Sequence, residues 1–260
     1  MFFPLMKTQD LSGFCDLLYL PPNNWEVKSA KRISIYGLWS DGKYWNSFKL
    51  DEIKFGEHIR VSSDDMNDEF MESGLILFYP TDEELEVTLP KLPSKKFWHS
   101  EVSAWRNTSG FYNNGVQTSY QSELNPLPER GSLITFHPFI QSGNVQNRLL
   151  TLNATSSPEI RKENLYVIDS KSRKTVDVKT ISTNSTSTIF LDEYKFTQSD
   201  LPIFYCPNIA CVPFGLGYSV DENMLSLEHT HPPAKFFLHG NRNKLQSEMK
   251  KKWIESFDIK

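Results

Sequence analysis

Three of the six histidines fall between His229 and His239, beginning in Glu228-His229-Thr230-His231-Pro232-Pro233. Imidazole changes charge near neutral pH and ligates metals, so clusters of this kind begin acid–base or metal sites. Alternate residues of a strand share one face. On a strand over 224–231, Leu225, Leu227, His229 and His231 then lie on one face, and Ser226, Glu228 and Thr230 on the other. Pro232-Pro233 ends the ladder, because proline supplies no backbone donor. His239 follows a further short strand, Lys235 to Leu238, which would bring a third imidazole to the pair. Three protein ligands with an open fourth position suit catalytic zinc, and two imidazoles with a carboxylate suit iron. The expected cofactor is one divalent transition metal, zinc, iron or manganese, held by His229, His231 and His239. The plain alternative is a structural turn, with His229 on a backbone carbonyl and His231 shaping the approach to proline.

Carboxylates could add acid–base chemistry. Glu101, Glu123 and Glu228 are candidates for the pair that glycoside cleavage needs, and Glu228 and Glu123 are the expected catalytic residues. Because Glu228 alternates away from the imidazoles, His239 or His137 is the better partner for them. His137 sits in the apolar run Thr135-Phe136-His137-Pro138-Phe139 and also fits a packed core histidine. His229-Thr230-His231 resembles the opening of the first cupin metal motif. Pro233, Ala234 and Lys235 occupy the region where that motif places a Glu, and no second cupin motif follows, so the chain is not assigned to that family.

A second constellation is Trp105-Arg106 followed by Gln117-Thr118-Ser119-Tyr120-Gln121-Ser122-Glu123. Gln117, Ser119, Gln121 and Glu123 would line one face of a strand. Arginine forks onto anions, amides bond hydroxyls and aromatic rings stack, so Trp105, Arg106, Gln117, Tyr120 and Gln121 are expected to bind a sugar or another polar small molecule. The same row also fits the solvated outer face of a sandwich.

Bulk properties narrow the classes. The 260 residues, 38% hydrophobic and 23% charged, describe a folded chain and not a disordered one. A net charge of -4 argues against general nucleic-acid binding, which requires a basic excess. Carboxylates gather from Asp64 to Glu86 with no Lys or Arg among them, and Lys250-Lys251-Lys252 stands near the C-terminus; both read as solvated surface. Cys15, Cys206 and Cys211 form no disulfide framework, which suits a reducing, cytoplasmic compartment. No apolar run approaches the length of a membrane helix, so no membrane partner is expected. Phosphate-loop, dinucleotide-glycine, serine-hydrolase and kinase signatures are absent, and no nucleotide cofactor is indicated. The partner is then a polar small molecule or another protein.

The aromatic content favours strands. Residues 8–19 carry Leu11, Phe14, Cys15 and Leu18 at helical spacing, so a helix is expected there. Asp41-Gly42 between two aromatic runs predicts a hairpin, and the Asp64–Ser73 stretch predicts a short acidic helix. Two prolines and three lysines over 88–96 mark a connector. Strands are expected near 132–140, 147–154, 164–169, 175–182, 187–191, 202–206, 214–220 and 224–231. Leu245, Met249, Trp253 and Phe257 recur every four residues, predicting a C-terminal helix packed on the sheets. The chain is therefore expected to be mainly β, α+β overall. Residues 1–95 would be a small N-terminal α+β lobe, and residues 96–260 an antiparallel sandwich or barrel with a C-terminal helix.

Overall fold

Asp41 and Gly42 turn the chain between two aromatic runs, as their types predict. Gly42 takes φ +89, a region open to glycine. Asp41 Oδ1 accepts the backbone N–H groups of Lys43 and Tyr44 at 2.8 and 2.7 Å. The flanking strands pair antiparallel, with Ser40 opposite Trp45 and Leu38 opposite Ser47. A computed structural model of the chain describes residues 1–19, 32–54, 56–94, 105–136, 140–197, 199–219, 221, 223–229, 248 and 251–259. Trp105, Arg106 and His229 are described by their backbone alone.

The described chain is predominantly antiparallel β. It divides into two compact units. The first comprises Met1–Glu129, Asn153–Arg161 and Thr183–Ser187. Its strands are β1 (Phe3–Met6), β2 (Ser12–Tyr19), β3 (Arg32–Ser40), β4 (Trp45–Lys54), β5 (His58–Ser62), β6 (Leu75–Thr81), β7 (Thr88–Leu89), β8 (Trp105–Asn113) and β9 (Val116–Tyr120). They form two sheets, ordered β1-β6-β3-β4-β7 and β5-β2-β8-β9. Phe3 and Leu5 of β1, Cys15, Leu17 and Tyr19 of β2, Ile33 and Ile35 of β3, Val61 of β5 and Ile76 and Phe78 of β6 share one buried cluster. Both sheets thus close on a single core, the arrangement of a sandwich. The division expected near residue 95 falls inside this unit, because β8 pairs with β2 along its whole length.

The expected helix over residues 8–19 is strand β2. Cys15, Leu17 and Tyr19 enter the core with period two, but Phe14 on the other face is also buried, at 2% exposure. Burial on both faces erases the alternation that would mark a strand and leaves a spacing that imitates a helix. Close packing enforces the strand locally: a Cβ on Gly13 would stand 1.6 Å from the carbonyl oxygen of Met6. The acidic stretch after β5 forms two 3-10 turns, Ser63–Asp65 and Asp68–Met71, capped by the side chains of Ser62 and Asn67. Among the described residues of 1–95 the elements are strands and short 3-10 turns, with no α-helix to make the lobe α+β.

The second unit comprises Arg130–Leu152, Lys162–Ser182 and Thr188–Lys260. Its strands are β10 (Leu133–Phe136), β11 (Gln146–Asn153) up to Leu152, β12 (Lys162–Ile168), β13 (Thr175–Ser182), β14 (Ser185–Phe190) from Thr188 on, β15 (Ile203–Cys206), β16 (Val212–Ser219) and β17 (Met224–His229). Each of the eight expected strands is present. They form the sheets β10-β15-β12-β13 and β14-β11-β16-β17. Leu133, Leu149, Leu165, Val167, Ile181, Ile189, Phe204 and Cys206 make the core between them. The polar stretch after Ser182 turns at Thr183-Asn184 and becomes β14, a sheet edge. Residues 251–256 are helical, with Trp253 half exposed at 50%. Leu245 and most of the expected helical stripe lie outside the described residues. After the helix, Asp258 bridges to Lys174.

Candidate functional site

Strand register assembles the candidate site on the outward face of the β5-β2-β8-β9 sheet. The inward face carries Cys15, Leu17 and Val61, so Ser12, Phe14 and Asp16 of β2 and Arg60 and Ser62 of β5 alternate outward. Asp16 stands opposite Arg60, and Phe14 opposite Ser62. On the other side Phe14 faces Gly110, and Ser12 faces Tyr112. Tyr112 in turn faces Gln117 of β9.

Two polar groups form on this frame. Arg60 Nε and Nη2 donate to the two oxygens of Asp16 at 2.7 and 2.6 Å, the bidentate geometry in which guanidinium and carboxylate interact most strongly. Arg60 Nη1 also donates to Gln117 Oε1 at 3.3 Å. The guanidinium carbon lies 4.4 Å from the centre of the Phe14 ring, a cation–π distance. Beside it, the hydroxyls of Tyr112 and Ser12 donate to Asp64 at 2.6 and 2.7 Å. Those two hydroxyls, Tyr112 first, hold the Asp64 carboxyl below its ordinary range. The Tyr112 hydroxyl is also 2.8 Å from Ser62 Oγ. The Phe14 and Tyr112 rings are 6.5 Å apart and tilted by 45°, so the two groups share an aromatic floor.

The sequence singled out only Gln117 from this arrangement. Asp16, Arg60, Tyr112 and Asp64 carry no local motif, because cross-strand pairing, not sequence spacing, brings them together. The usable signal was the alternation Ser12, Phe14, Asp16 and Arg60, Ser62.

The other expected ligand-binding residues lie in the same unit. Trp105 and Arg106 open β8 opposite Tyr19 and Leu18. Tyr120 pairs with Ser109, whose side chain is fully buried, so it lies on the inward side of β9. Burial raises the Tyr120 phenol well above its ordinary range, with Ser122 as a hydrogen-bond neighbour. Gln121 and Glu123 follow the end of β9 and are exposed.

In the second unit Glu228 is exposed and pairs with Gly215, while Leu227 pairs with Leu216 and His229 with Phe214. The backbone of β17 thus has the expected alternation, with Glu228 out of step with Leu225, Leu227 and His229. His231, His239 and His137 lie outside the described residues. Among the described residues no group of three or more His, Cys, Asp or Glu side chains is placed to hold a metal ion. No described helix is long and apolar enough to cross a membrane.

No protein-family model, curated protein or solved structure matches the chain.

Proposed function

We propose that the protein is a non-catalytic recognition module that binds a glycan, or a similarly hydroxylated small molecule, on the outward face of the β5-β2-β8-β9 sheet. The observation that carries this reading is the Asp16-Arg60-Gln117 chain laid over Phe14, with contacts of 2.6 to 3.3 Å spanning three strands. Sugars present hydroxyl pairs around an apolar ring face. A guanidinium, carboxylates and an amide in fixed orientation offer hydrogen bonds, and the partly exposed Tyr112 ring beside them offers the apolar contact, while Phe14 lies beneath the guanidinium and supports it; groups already ordered lose little freedom on binding. Arg60 is half exposed and Asp64 lies at the surface, so a ligand can reach them. A cytoplasmic setting belongs to this proposal, supported by the three free cysteines.

A glycan array probed with wild type and with Gln117→Ala tests it. Binding to at least one glycan, weakened about tenfold or more in the variant, is the expected result. Absence of binding across the array, or equal binding by Gln117→Ala, overturns the reading.

A metal-dependent enzyme acting on a sugar is the second reading. It is supported by β17, whose backbone carries His229 in step with Leu225 and Leu227 at the end of a strand, with Glu228 out of step. Elemental analysis separates the two readings. Stoichiometric zinc, iron or manganese that disappears in His229→Ala favours the enzyme, with His231 and His239 as the companion ligands.

A further inference from the structure

We propose that the protein self-associates as a two-fold dimer by antiparallel pairing of strand β13 with β13 of a second copy. Among the described residues β13 ends its sheet, in the order β10-β15-β12-β13. An unpaired edge exposes backbone donors and acceptors to any strand that fits. Natural edges are commonly blunted by charge or proline, and β13 is blunted weakly. Its sequence Thr-Val-Asp-Val-Lys-Thr-Ile-Ser contains no proline and leaves Val176 and Val178 exposed at 48% and 41%.

The strand is complementary to itself. With the two-fold axis at Val178, antiparallel register sets Val178 against Val178, Asp177 against Lys179 and Val176 against Thr180. Opposite charges therefore meet twice across the axis, and two exposed valines meet at its centre. Lys179, the residue that would guard the edge, is already matched within its own chain by Asp177 at 3.1 Å and Glu193 at 2.8 Å. Its charge therefore presents little repulsion to an approaching copy.

Among the described residues the backbone shows the same unfilled edge. The Val178 N–H donates to Asp177 Oδ1, the side chain of its own neighbour, at 2.6 Å. Pairing would turn the N–H to the new strand and free Asp177 Oδ1 toward Lys179 of the second copy, while Oδ2 keeps the Tyr194 hydroxyl at 2.8 Å and Lys179 of its own chain. At the upstream end Asp258 bridges Lys174, and Val176 is the extra residue of a bulge against β12. Pairing is thereby confined to the stretch around Val178. Tyr166 lies beside Val178 and stacks on Tyr205 at 6.2 Å, so the outward apolar face would run on from one copy to the other.

Light scattering coupled to size exclusion, across a micromolar concentration series, gives the first readout: a mass moving from one chain to two. Asp177→Lys and Lys179→Glu each place like charges opposite one another in the homodimer and weaken self-association about tenfold or more. Mixed together, the two variants restore opposite charges and form a heterodimer. A wild type that stays monomeric, a dimer unaffected by either variant, or variants that fail to associate on mixing overturns the proposal. Because Lys179 also bonds Glu193, the variants are first checked for a cooperative melt. If they do not fold, hydrogen exchange on the wild type decides: amides over 176–180 that lose protection on dilution support the pairing, and concentration-independent exchange there overturns it.

Discussion

Arg60 and Asp16, 44 residues apart in the chain, meet through two parallel hydrogen bonds of 2.7 and 2.6 Å. The fork sits where β2 and β5 pair and holds the guanidinium over Phe14. This explains how Phe14 is only 2% exposed on an outward face. Because Arg60 and Asp16 are 49% and 23% exposed, solvent screens much of the attraction. Arg60→Ala is expected to lower unfolding stability by about 1–2 kcal/mol, combining the lost pair, the cation–π contact and the uncovered ring. Arg60→Lys keeps the charge but not the fork and should fall between. Urea unfolding measures both; equal stability of all three proteins would show that the fork contributes nothing to the fold.

Gly13 tests whether β2 is held by close backbone approach. A Cβ there would stand 1.6 Å from Met6 O, and the Gly13 N–H donates to Ser63 Oγ at 2.9 Å. No side-chain rotation relieves a clash with a backbone oxygen, so β1 and β2 must separate. Gly13→Ala should cost about 3 kcal/mol or more, at the upper end of overpacking effects. A melting temperature within a degree or so of wild type would contradict this packing.

The strands of the second unit were legible because they are short, rich in Ile, Leu, Val, Thr, Tyr and Phe, and separated by turn residues; Thr175–Ser182 also alternates in burial, whereas Gln146–Asn153 does not. The Asp41-Gly42 hairpin was legible because its geometry depends on two adjacent residue types. Strand β2 was not, because Phe14 is buried under a residue contributed by another strand. The same cause hid most of the candidate site: nothing local to Asp16 announces Arg60, or to Tyr112 announces Asp64. Gln117 was visible only because a polar row on one strand is itself a local pattern.

Cys15 is a buried thiol whose pKa burial raises to about 12. At pH 8 it should resist alkylation by iodoacetamide in the native state and react fully in denaturant. The linkage has a definite sign. A folded-state pKa above the unfolded value gives stability that is complete below pH ~8.5 and declines as pH rises toward 12. Cys15→Ala should flatten that alkaline decline, as followed by unfolding across the pH range. A native thiol that reacts at pH 8 as fast as a free one would refute the assignment.

Asp64 has the opposite sign. Hydroxyl donors Tyr112 and Ser12 stabilise its charged form and depress its pKa. Its contribution is present above the unfolded value of about 4 and disappears as pH falls through the folded value. Tyr112→Phe removes the main donor. The wild-type advantage over this variant should be complete near neutrality and shrink progressively below about pH 4. A stability gap that stays constant down to pH 2–3 would assign the effect to packing instead.

Asn184 combines backbone geometry with hydrogen bonding, and the two contributions can be separated. It takes φ +54, a left-handed conformation that asparagine tolerates better than most residues. Its Oδ1 accepts from Thr155 N at 2.8 Å, and its Nδ2 donates to the carbonyls of Ser157 and Glu159 at 2.8 and 3.2 Å. The side chain is buried. Asn184→Gly should lose the hydrogen bonds while keeping an unstrained backbone, at a cost of about 2–3 kcal/mol. Asn184→Ala should lose both, at about 1 kcal/mol more. Asn184→Asp keeps an acceptor for Thr155 N but turns an anion toward two carbonyl oxygens, so it should not rescue the fold. Chemical denaturation of the three variants gives the ranking. If Ala and Gly are equal, the backbone conformation is unstrained and the hydrogen bonds alone explain why asparagine occupies the turn.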